Sequence, residues 1–150
     1  MTAVEFGRYL EPAIREYAHE KVISGDWEPH EALERSRADH ARLLPDGLAT
    51  PDHLLFTVRD EETEQPVGIL WLALLTRGAK VEAYVYDIAV SEEVRGRGYG
   101  RATMLACLDA ARKLGAESVG LHVFGHNAAA RALYTSLGFE PTNIRMTLDL

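Results

Sequence analysis

The stretch from Val94 to Arg101 constrains the fold of this chain more than any other segment. It reads Val-Arg-Gly-Arg-Gly-Tyr-Gly-Arg and lies directly after a strand-like run and directly before a helix-like run. Glycine allows positive φ and a close approach of the backbone to a ligand. The start of a helix adds unpaired N–H groups and partial positive charge. A strand, a glycine loop and a helix in this order therefore predict an α/β arrangement whose loop holds a polyanion.

The glycine loop matches neither of two common nucleotide-binding motifs. The dinucleotide fingerprint would need glycine in place of Arg101 or Tyr99. A P-loop requires Lys followed by Ser or Thr after its last glycine, whereas Arg101 and Ala102 stand there. The sequence therefore disfavours nucleotide hydrolysis.

Hydrophobic periodicity predicts two helices followed by three strands before the glycine loop. Helical spacing connects Phe6 to Val22, with Gly25 placed to end the helix. Pro29 suits the first turn of a second helix that ends near Leu44. Three strand-like runs with short connections then predict an antiparallel meander; they cover His53 to Val58, Val67 to Leu75 and Val81 to Val90.

Two further helices and two further strands are predicted after the loop. Tyr99 to Leu114 has a helical pattern that Gly115 ends, and a second helix runs from the cap Asn127 to Leu137. Strands are expected from Ser118 to Phe124 and, because apolar and polar residues alternate, from Ile144 to Leu150. Residues 1–150 are thus expected to form one α/β (α+β) domain with a mixed sheet.

The composition excludes several classes of partner. The 150 residues carry a formal net charge of −7, which disfavours nucleic acid and anionic membranes and suits a cationic substrate better. Cys107 is the only cysteine, and we expect it in the core of a protein from a reducing compartment. No signal peptide or membrane-spanning run is evident, so a cytoplasmic protein is expected. The six histidines show no zinc spacing, and no metal is expected.

Two motifs at a fixed spacing resemble those of the GNAT acetyltransferase superfamily. The first is Arg95-x-x-Gly98-x-Gly100; the second is Asn127 followed by Ala132-Leu133-Tyr134 and Leu137-Gly138-Phe139. The similarity extends over about residues 53 to 150. It implies a mixed, mostly antiparallel central sheet flanked by about four helices. The family usually begins with a strand, but this chain begins with a helix, so the first strand is expected to be missing or very short.

The resemblance implies that acetyl-CoA, or a related acyl-CoA, is the acyl donor. The main chain of Ile88, Ala89 and Val90 would pair with the pantetheine arm, and Asn127 would bind the arm from the other side. The pyrophosphate would lie on the loop formed by Arg95, Gly96, Arg97, Gly98, Tyr99, Gly100 and Arg101. Asn127 could equally be a plain helix cap. Arg97 and Arg101 could be solvated surface charges or contacts to the adenosine phosphates.

Tyr134 matches the general acid of the family, which protonates the departing thiolate; the alternative is a buried structural tyrosine. The general base is less well defined. Asp87 lies on the strand beside the expected acyl site, and a carboxylate there could have a raised pKa. Glu82, His122 and a chain of water molecules are the alternatives.

These residues predict an N-acetyltransferase that moves an acetyl group to a primary amine by direct attack. The acceptor would be a small molecule or a peptide, and the two N-terminal helices, roughly residues 4 to 44, would cover it. The alternative is a non-catalytic acyl-CoA-binding or interaction module with the same fold. A homodimer is a further option that the resemblance leaves open, without a specified interface.

Overall fold

The computed structural model describes residues 1–148 and 150, the side chain of Arg77 aside. These described residues form four α-helices and four strands, joined by short connections. The helices are Ala3–Ile23 (α1), Ala32–Leu43 (α2), Tyr99–Lys113 (α3) and Ala128–Ser136 (α4). The strands are His53–Arg59 (β1), Pro66–Arg77 (β2), Lys80–Val90 (β3) and Ser118–Leu121 (β4).

The strands form one sheet in the order β1-β2-β3-β4. The pairs β1–β2 and β2–β3 are antiparallel, and β3–β4 is parallel. The predicted mixed, mostly antiparallel sheet with four helices is therefore confirmed. In the part of the chain that the structure describes, no strand precedes α1, as expected from the helical start of the sequence.

Local sequence signals determine where the first helix begins and ends. Thr2 caps α1, and its side chain and that of Glu5 form a reciprocal capping box with the backbone. The helix ends at Ile23, and Gly25 follows with a φ of 73°. Ser36 joins α2 to α1, because its buried hydroxyl donates a hydrogen bond of 2.7 Å to the carbonyl oxygen of Ile14.

Helices cover both faces of the sheet. On one face, Leu72 packs with Met104 and Cys107 of α3, and none of these side chains is accessible to solvent. On the other face, Leu44, Leu55 and Trp71 form a second cluster with residues of α1. Cys107 is fully buried in the first of these clusters, which confirms its predicted core role, and burial raises the pKa of its thiol to about 11.

The sequence overestimates strand structure in the last third of the chain. β4 ends at Leu121 instead of Phe124, so its pairing with β3 stops three residues early. The expected strand from Ile144 to Leu150 is wrong for residues 144–148 and 150, and Asp149 lies outside the described residues. The physical reason is that alternation of apolar and polar residues shows only that a segment can form a strand. It does not show that a neighbouring strand is present to pair with it. Ile144, Met146 and Leu148 are 71 to 88% exposed.

Candidate functional site

The site begins where β3 and β4 part. Their parallel pairing runs from Glu82 to Val85 on β3, but β3 continues to Val90. On its other side, Trp71 of β2 pairs with Asp87 and Leu72 pairs with Val85, so Tyr86 is an extra residue that forms a β-bulge. The Tyr86 ring stacks on Trp71 with centroids 4.8 Å apart. The bulge thus turns two consecutive side chains, Tyr86 and Asp87, toward the face covered by α1.

The glycine loop has the open backbone that its sequence predicts. Gly96 has a φ of 75°, and Gly98, which is the N-cap of α3, has a φ of 88°. A Cβ atom added to either residue would meet no heavy atom within 4 Å. Side-chain-free backbone therefore faces open space at the N-terminus of a 15-residue helix, which is a favourable position for an anion.

One cavity of about 300 Å³ joins the end of β3, the glycine loop and α4. Ala129 and Ala130, which the sequence did not single out, complete its wall together with Val94 and Leu133. Seven of the predicted site residues line it: Ile88, Val90, Arg95, Gly96, Tyr99, Gly100 and Tyr134. Six others lie outside this lining: Asp87, Ala89, Arg97, Gly98, Arg101 and Asn127.

The close approach of β2 fixes the end of β3. A Cβ atom on Gly68 would lie 2.3 Å from the carbonyl oxygen of Ala89, so only glycine allows this approach. The position of the Ala89 main chain therefore depends on a glycine that lies 21 residues earlier in the sequence.

Two of the loop arginines bind other parts of the protein. Arg95 Nε donates to the Val90 carbonyl oxygen at 3.2 Å, which closes the loop back onto β3. Arg101 Nη1 donates to Ser136 Oγ at 2.8 Å and so connects α3 with α4. The exposed Arg97 is close enough to Tyr99 for its charge to lower the pKa of that hydroxyl, against larger effects that raise it.

Asn127 has the cap role that the sequence offered as one alternative. Its Oδ1 accepts a hydrogen bond of 3.0 Å from the backbone N–H of Ala130 in the first turn of α4. A contact from Asn127 to a pantetheine arm stays a prediction.

Asp60 anchors the start of α3 from a distant loop, a link that the sequence did not suggest. Tyr99 donates its hydroxyl hydrogen to Asp60 Oδ2, although the two residues are 39 positions apart. This hydrogen bond, followed by those from Thr63, lowers the pKa of Asp60 to about 2. The β1–β2 loop thereby supports one wall of the cavity.

Tyr134 lies on α4 with its ring half-buried, 5.8 Å from the ring of Phe139. Burial raises the pKa of the Tyr134 hydroxyl, and the negative charge of Asp87 raises it further. The hydroxyl therefore keeps its proton at neutral pH.

Asp87 is bound by a side chain of α1. Tyr9 donates its hydroxyl hydrogen to Asp87 Oδ2 at 2.9 Å, across 78 positions of sequence. Burial raises the pKa of Asp87, while the Tyr9 hydrogen bond and the nearby His40 act in the opposite direction. Sequence reasoning assigned no role to Tyr9, because only the packing of α1 on the sheet brings it to the carboxylate.

The two alternative bases occupy different positions. Glu82 lies in the stretch of β3 that pairs with β4. A Cβ atom on Gly120 of β4 would be 2.4 Å from Glu82 Oε1. His122 follows β4 and packs edge-on against Phe124, with centroids 4.8 Å apart. Burial and the charge of Lys21 lower the pKa of His122, which favours the neutral, proton-accepting form. Of the three, only Asp87 adjoins the bulge.

The comparisons with known proteins decide the family. The family model described as the acetyltransferase (GNAT) family matches residues 15–139. This chain belongs to the GNAT acetyltransferase family. It is 39% identical over 150 residues to the uncharacterized N-acetyltransferase YycN of Bacillus subtilis strain 168, covering 100% of this chain and 96% of YycN. The crystal structure of YycN superposes with a TM-score of 0.94 over 100% of this chain and 95% of that one.

A second relative matches over a shorter stretch. It is the [ribosomal protein bS18]-alanine N-acetyltransferase of Escherichia coli strain K12, which is 42% identical over 64 residues. That match covers 43% of this chain and 43% of the relative. Membership of the family supports acetyl transfer as the general activity.

GNAT acetyltransferases use acetyl-CoA in general, and the residues present fit such a donor. The open backbone at Gly96 and Gly98 suits the pyrophosphate, and the adjoining cavity suits an extended arm. Over residues 1–148 and 150, no cluster of three or more His, Cys, Asp or Glu side chains is placed to hold a metal ion. None of the helices in the described part of the chain combines the length and apolar character of a membrane span.

Proposed function

We propose that this chain transfers an acetyl group from acetyl-CoA to a primary amine, with residues 1–150 acting as one catalytic domain. One observation carries the proposal: a single cavity connects the glycine loop, Tyr134 and the end of β3 that extends beyond its pairing with β4. The bulge that carries Asp87 lies at the point where β3 and β4 part. The groups proposed to bind the donor and those proposed to transfer protons thus lie in adjoining parts of one cleft.

The donor would be held chiefly by backbone groups. N–H groups from Arg97 to Arg101 at the start of α3 would bind the pyrophosphate, and Arg95 and Gly96 would complete the loop. The main chain of Ile88–Val90, which has no β4 residue alongside, would pair with the pantetheine arm. Asn127 would approach the arm from α4 with the side-chain groups that capping leaves available.

The proposed chemistry is direct attack of a neutral amine on the thioester. Asp87 accepts a proton from the amine, and its raised pKa brings this carboxylate closer to the working pH than an exposed one. The amine nitrogen bonds to the acetyl carbon, the carbon–sulfur bond breaks, and its electron pair goes to sulfur. Tyr134 donates its proton to that sulfur and is reprotonated from solvent. Glu82, His122 or a water chain are the alternative routes for the amine proton.

The acceptor side favours a cationic amine. The chain carries a net charge of −7, and Glu16 of α1 is close enough to Asp87 for its charge to raise the pKa of Asp87. The acceptor is a small-molecule or peptide amine that α1 and α2 cover. A peptide acceptor draws support from the relative that is named for an alanine of ribosomal protein bS18.

The test is turnover with acetyl-CoA and a panel of primary amines, comparing the wild type with Tyr134→Phe. General acid catalysis contributes about 10²- to 10⁴-fold, so kcat should fall by that factor. Affinity for acetyl-CoA should stay within about threefold, a change of less than 1 kcal/mol. Tyr17→Phe, which removes a hydroxyl from α1 away from the cavity, is the control.

The same assay assigns the base. Asp87→Asn should lower kcat more than Glu82→Gln or His122→Asn, since it alone removes the carboxylate beside the bulge. If the wild type binds acetyl-CoA but acetylates no amine, the proposal fails and the chain is an acyl-CoA-binding module.

A further inference from the structure

Lys21, near the C-terminal end of α1, holds its ammonium group between aromatic rings. Lys21 Nζ lies 5.6 Å from the ring centroid of Trp27 and 5.7 Å from that of Phe124, within the range of cation–π attraction. It also forms an ion pair of 3.0 Å with Asp26 Oδ2. The contact with Tyr17, at 5.6 Å, is different, because residues four positions apart on one helix are neighbours. We call Asp26, Trp27 and Phe124 the cation cage.

The cation cage adjoins the cleft where β3 and β4 part. Phe124 follows the end of β4, and its ring packs edge-on against His122 with centroids 4.8 Å apart. The charge of Lys21 lowers the pKa of His122 and that of Asp26 raises it, so both charges act at this end of the cleft. The cage therefore borders the acceptor side, which α1 covers.

α1 sets the distance between the cation cage and Asp87. Tyr9 of this helix binds Asp87, and the Lys21 ammonium lies over the ring of Tyr17, eight residues further along. At the rise of an α-helix, the ammonium is about 12 Å further along the helix axis than Tyr9. This gap leaves room for a chain of atoms between an amine at Asp87 and a cation in the cage.

Lys21 can leave the cation cage without a change in the backbone. Its side chain is flexible and 18% exposed, so solvent reaches it. Asp26 would keep a cationic partner, because Arg145 Nη1 lies 2.5 Å from its Oδ1. Trp27 would keep Arg35, whose guanidinium carbon lies 5.2 Å from the ring centroid. An ammonium group from another molecule would therefore find the same rings and carboxylate that Lys21 has.

We propose that the cation cage binds a second cationic group of the acceptor, which displaces Lys21. The acceptor is then an amine whose reacting nitrogen lies at Asp87 and whose second ammonium group lies about 12 Å away, as in a long linear diamine. The inference rests on the proposed acetyl transfer, because that reaction places the reacting amine at Asp87. Lys21 is an internal competitor that weakens the binding of diamines and leaves acceptors with one amine unaffected.

The first test compares octanediamine, with an amine at each end and about 11 Å between them when extended, with octylamine, which lacks the second cation. Lys21→Ala empties the cage, so the kcat/KM for the diamine divided by that for the monoamine should rise about tenfold. Propanediamine is too short to reach the cage and should show no rise over propylamine. A merely structural role of Lys21 would change both acceptors alike, and an unchanged ratio would overturn the proposal.

Two further variants separate the cage from a general loss of charge or fold. Trp27→Leu in the Lys21→Ala background removes a ring of the cage and should abolish the rise. Lys113→Ala removes an exposed lysine from α3 and should keep the wild-type ratio. Circular dichroism checks that each variant folds. A rise that survives Trp27→Leu, or that Lys113→Ala also shows, would contradict a site at the cage.

Calorimetry with CoA present measures the same preference without turnover. Lys21→Ala should bind octanediamine about tenfold more tightly than the wild type does, and octylamine equally. Equal binding of the diamine by both proteins would overturn the proposal. If octylamine is acetylated but the ratio does not change, the cage fails and the proposed function stands. If neither amine is acetylated, the proposed function fails, and calorimetry still decides whether the cage binds a diamine.

Discussion

The donor side and the acceptor side of the cleft are built in opposite ways. The donor side takes most of its lining from two short stretches, residues 88–100 and 127–139. Short-range contacts such as Arg95 to Val90 and Asn127 to Ala130 shape these stretches, and the hydrogen bond from Tyr99 to Asp60 supports them across 39 positions. The acceptor side joins Tyr9 to Asp87 across 78 residues, and His53 Nδ1 accepts a hydrogen bond of 2.9 Å from Trp71 Nε1 across 18. Turns, caps and glycine loops can be recognised from the spacing of residues in the sequence. A surface assembled from distant elements exists only after the chain has folded.

This difference implies that the two sides can be altered independently. A change in the glycine loop should affect donor binding and leave the pH dependence of catalysis unchanged. A change on α1 should do the reverse. The following variants test that separation, from the largest expected effect to the smallest.

Gly100→Ala should damage the donor side most. Its Cβ atom would lie 3.6 Å from Leu133 Cδ2 and 3.9 Å from Val90 Cγ2, ordinary contacts in the free protein. Because all three residues line the 300 Å³ cavity, the methyl group takes space from the donor. Overpacking costs about 1–3 kcal/mol, so calorimetry should show acetyl-CoA bound about 5- to 150-fold more weakly. Stability should stay equal or rise, since alanine favours the helix.

The matched control is Gly7→Ala. Gly7 is an exposed residue of α1, and a Cβ atom there would meet nothing within 4 Å. This variant should gain helix stability and bind acetyl-CoA as the wild type does. Equal losses of affinity in both variants would show that the cavity is not the donor site.

Tyr9→Phe should affect the acceptor side without changing donor affinity. The hydrogen bond from Tyr9 lowers the pKa of Asp87, so its loss raises that pKa further. A base must be deprotonated to act, so the acidic limb of kcat/KM against pH should move to higher pH. Glu16 continues to raise and His40 to lower the pKa of Asp87 in both proteins. The lost hydrogen bond should reduce stability by about 1 kcal/mol in urea unfolding.

The control for Tyr9→Phe is again Tyr17→Phe, which removes a hydroxyl two turns further along α1. Its pH profile should coincide with that of the wild type. An unshifted acidic limb in Tyr9→Phe would exclude Asp87 as the base and favour Glu82, His122 or water.

Asp60→Asn should have the smallest effect. The pKa of Asp60 is lowered from 3.8 to about 2 by Tyr99 and Thr63, so its ionised form contributes stability above pH 3.8 that is lost as the pH falls through 2. The site is exposed, so solvent screening keeps the effect at neutral pH small. Urea unfolding between pH 2 and 5 should show a weaker pH dependence in the variant. Identical slopes would contradict the Tyr99–Asp60 link.

The sequence predicted the meander, the glycine loop and the capped helix at Asn127, because turn and cap residues act locally. It could not predict the Tyr86 bulge, which depends on the register between β2 and β3. Nor could it predict that Tyr9 binds Asp87 or that Asp60 binds Tyr99, since these contacts arise from packing. The strand expected at Ile144–Leu150 shows the same limit: alternation indicates a strand but not its partner.

The most direct test of the account is a crystal structure with acetyl-CoA bound. The account predicts the arm in the cavity lined by Ile88, Gly100 and Tyr134, with the pyrophosphate at the start of α3. The thioester should lie between Tyr134 and the bulge at Tyr86–Asp87. A donor bound in the cavity beside β4, or a thioester remote from Tyr134, would contradict it.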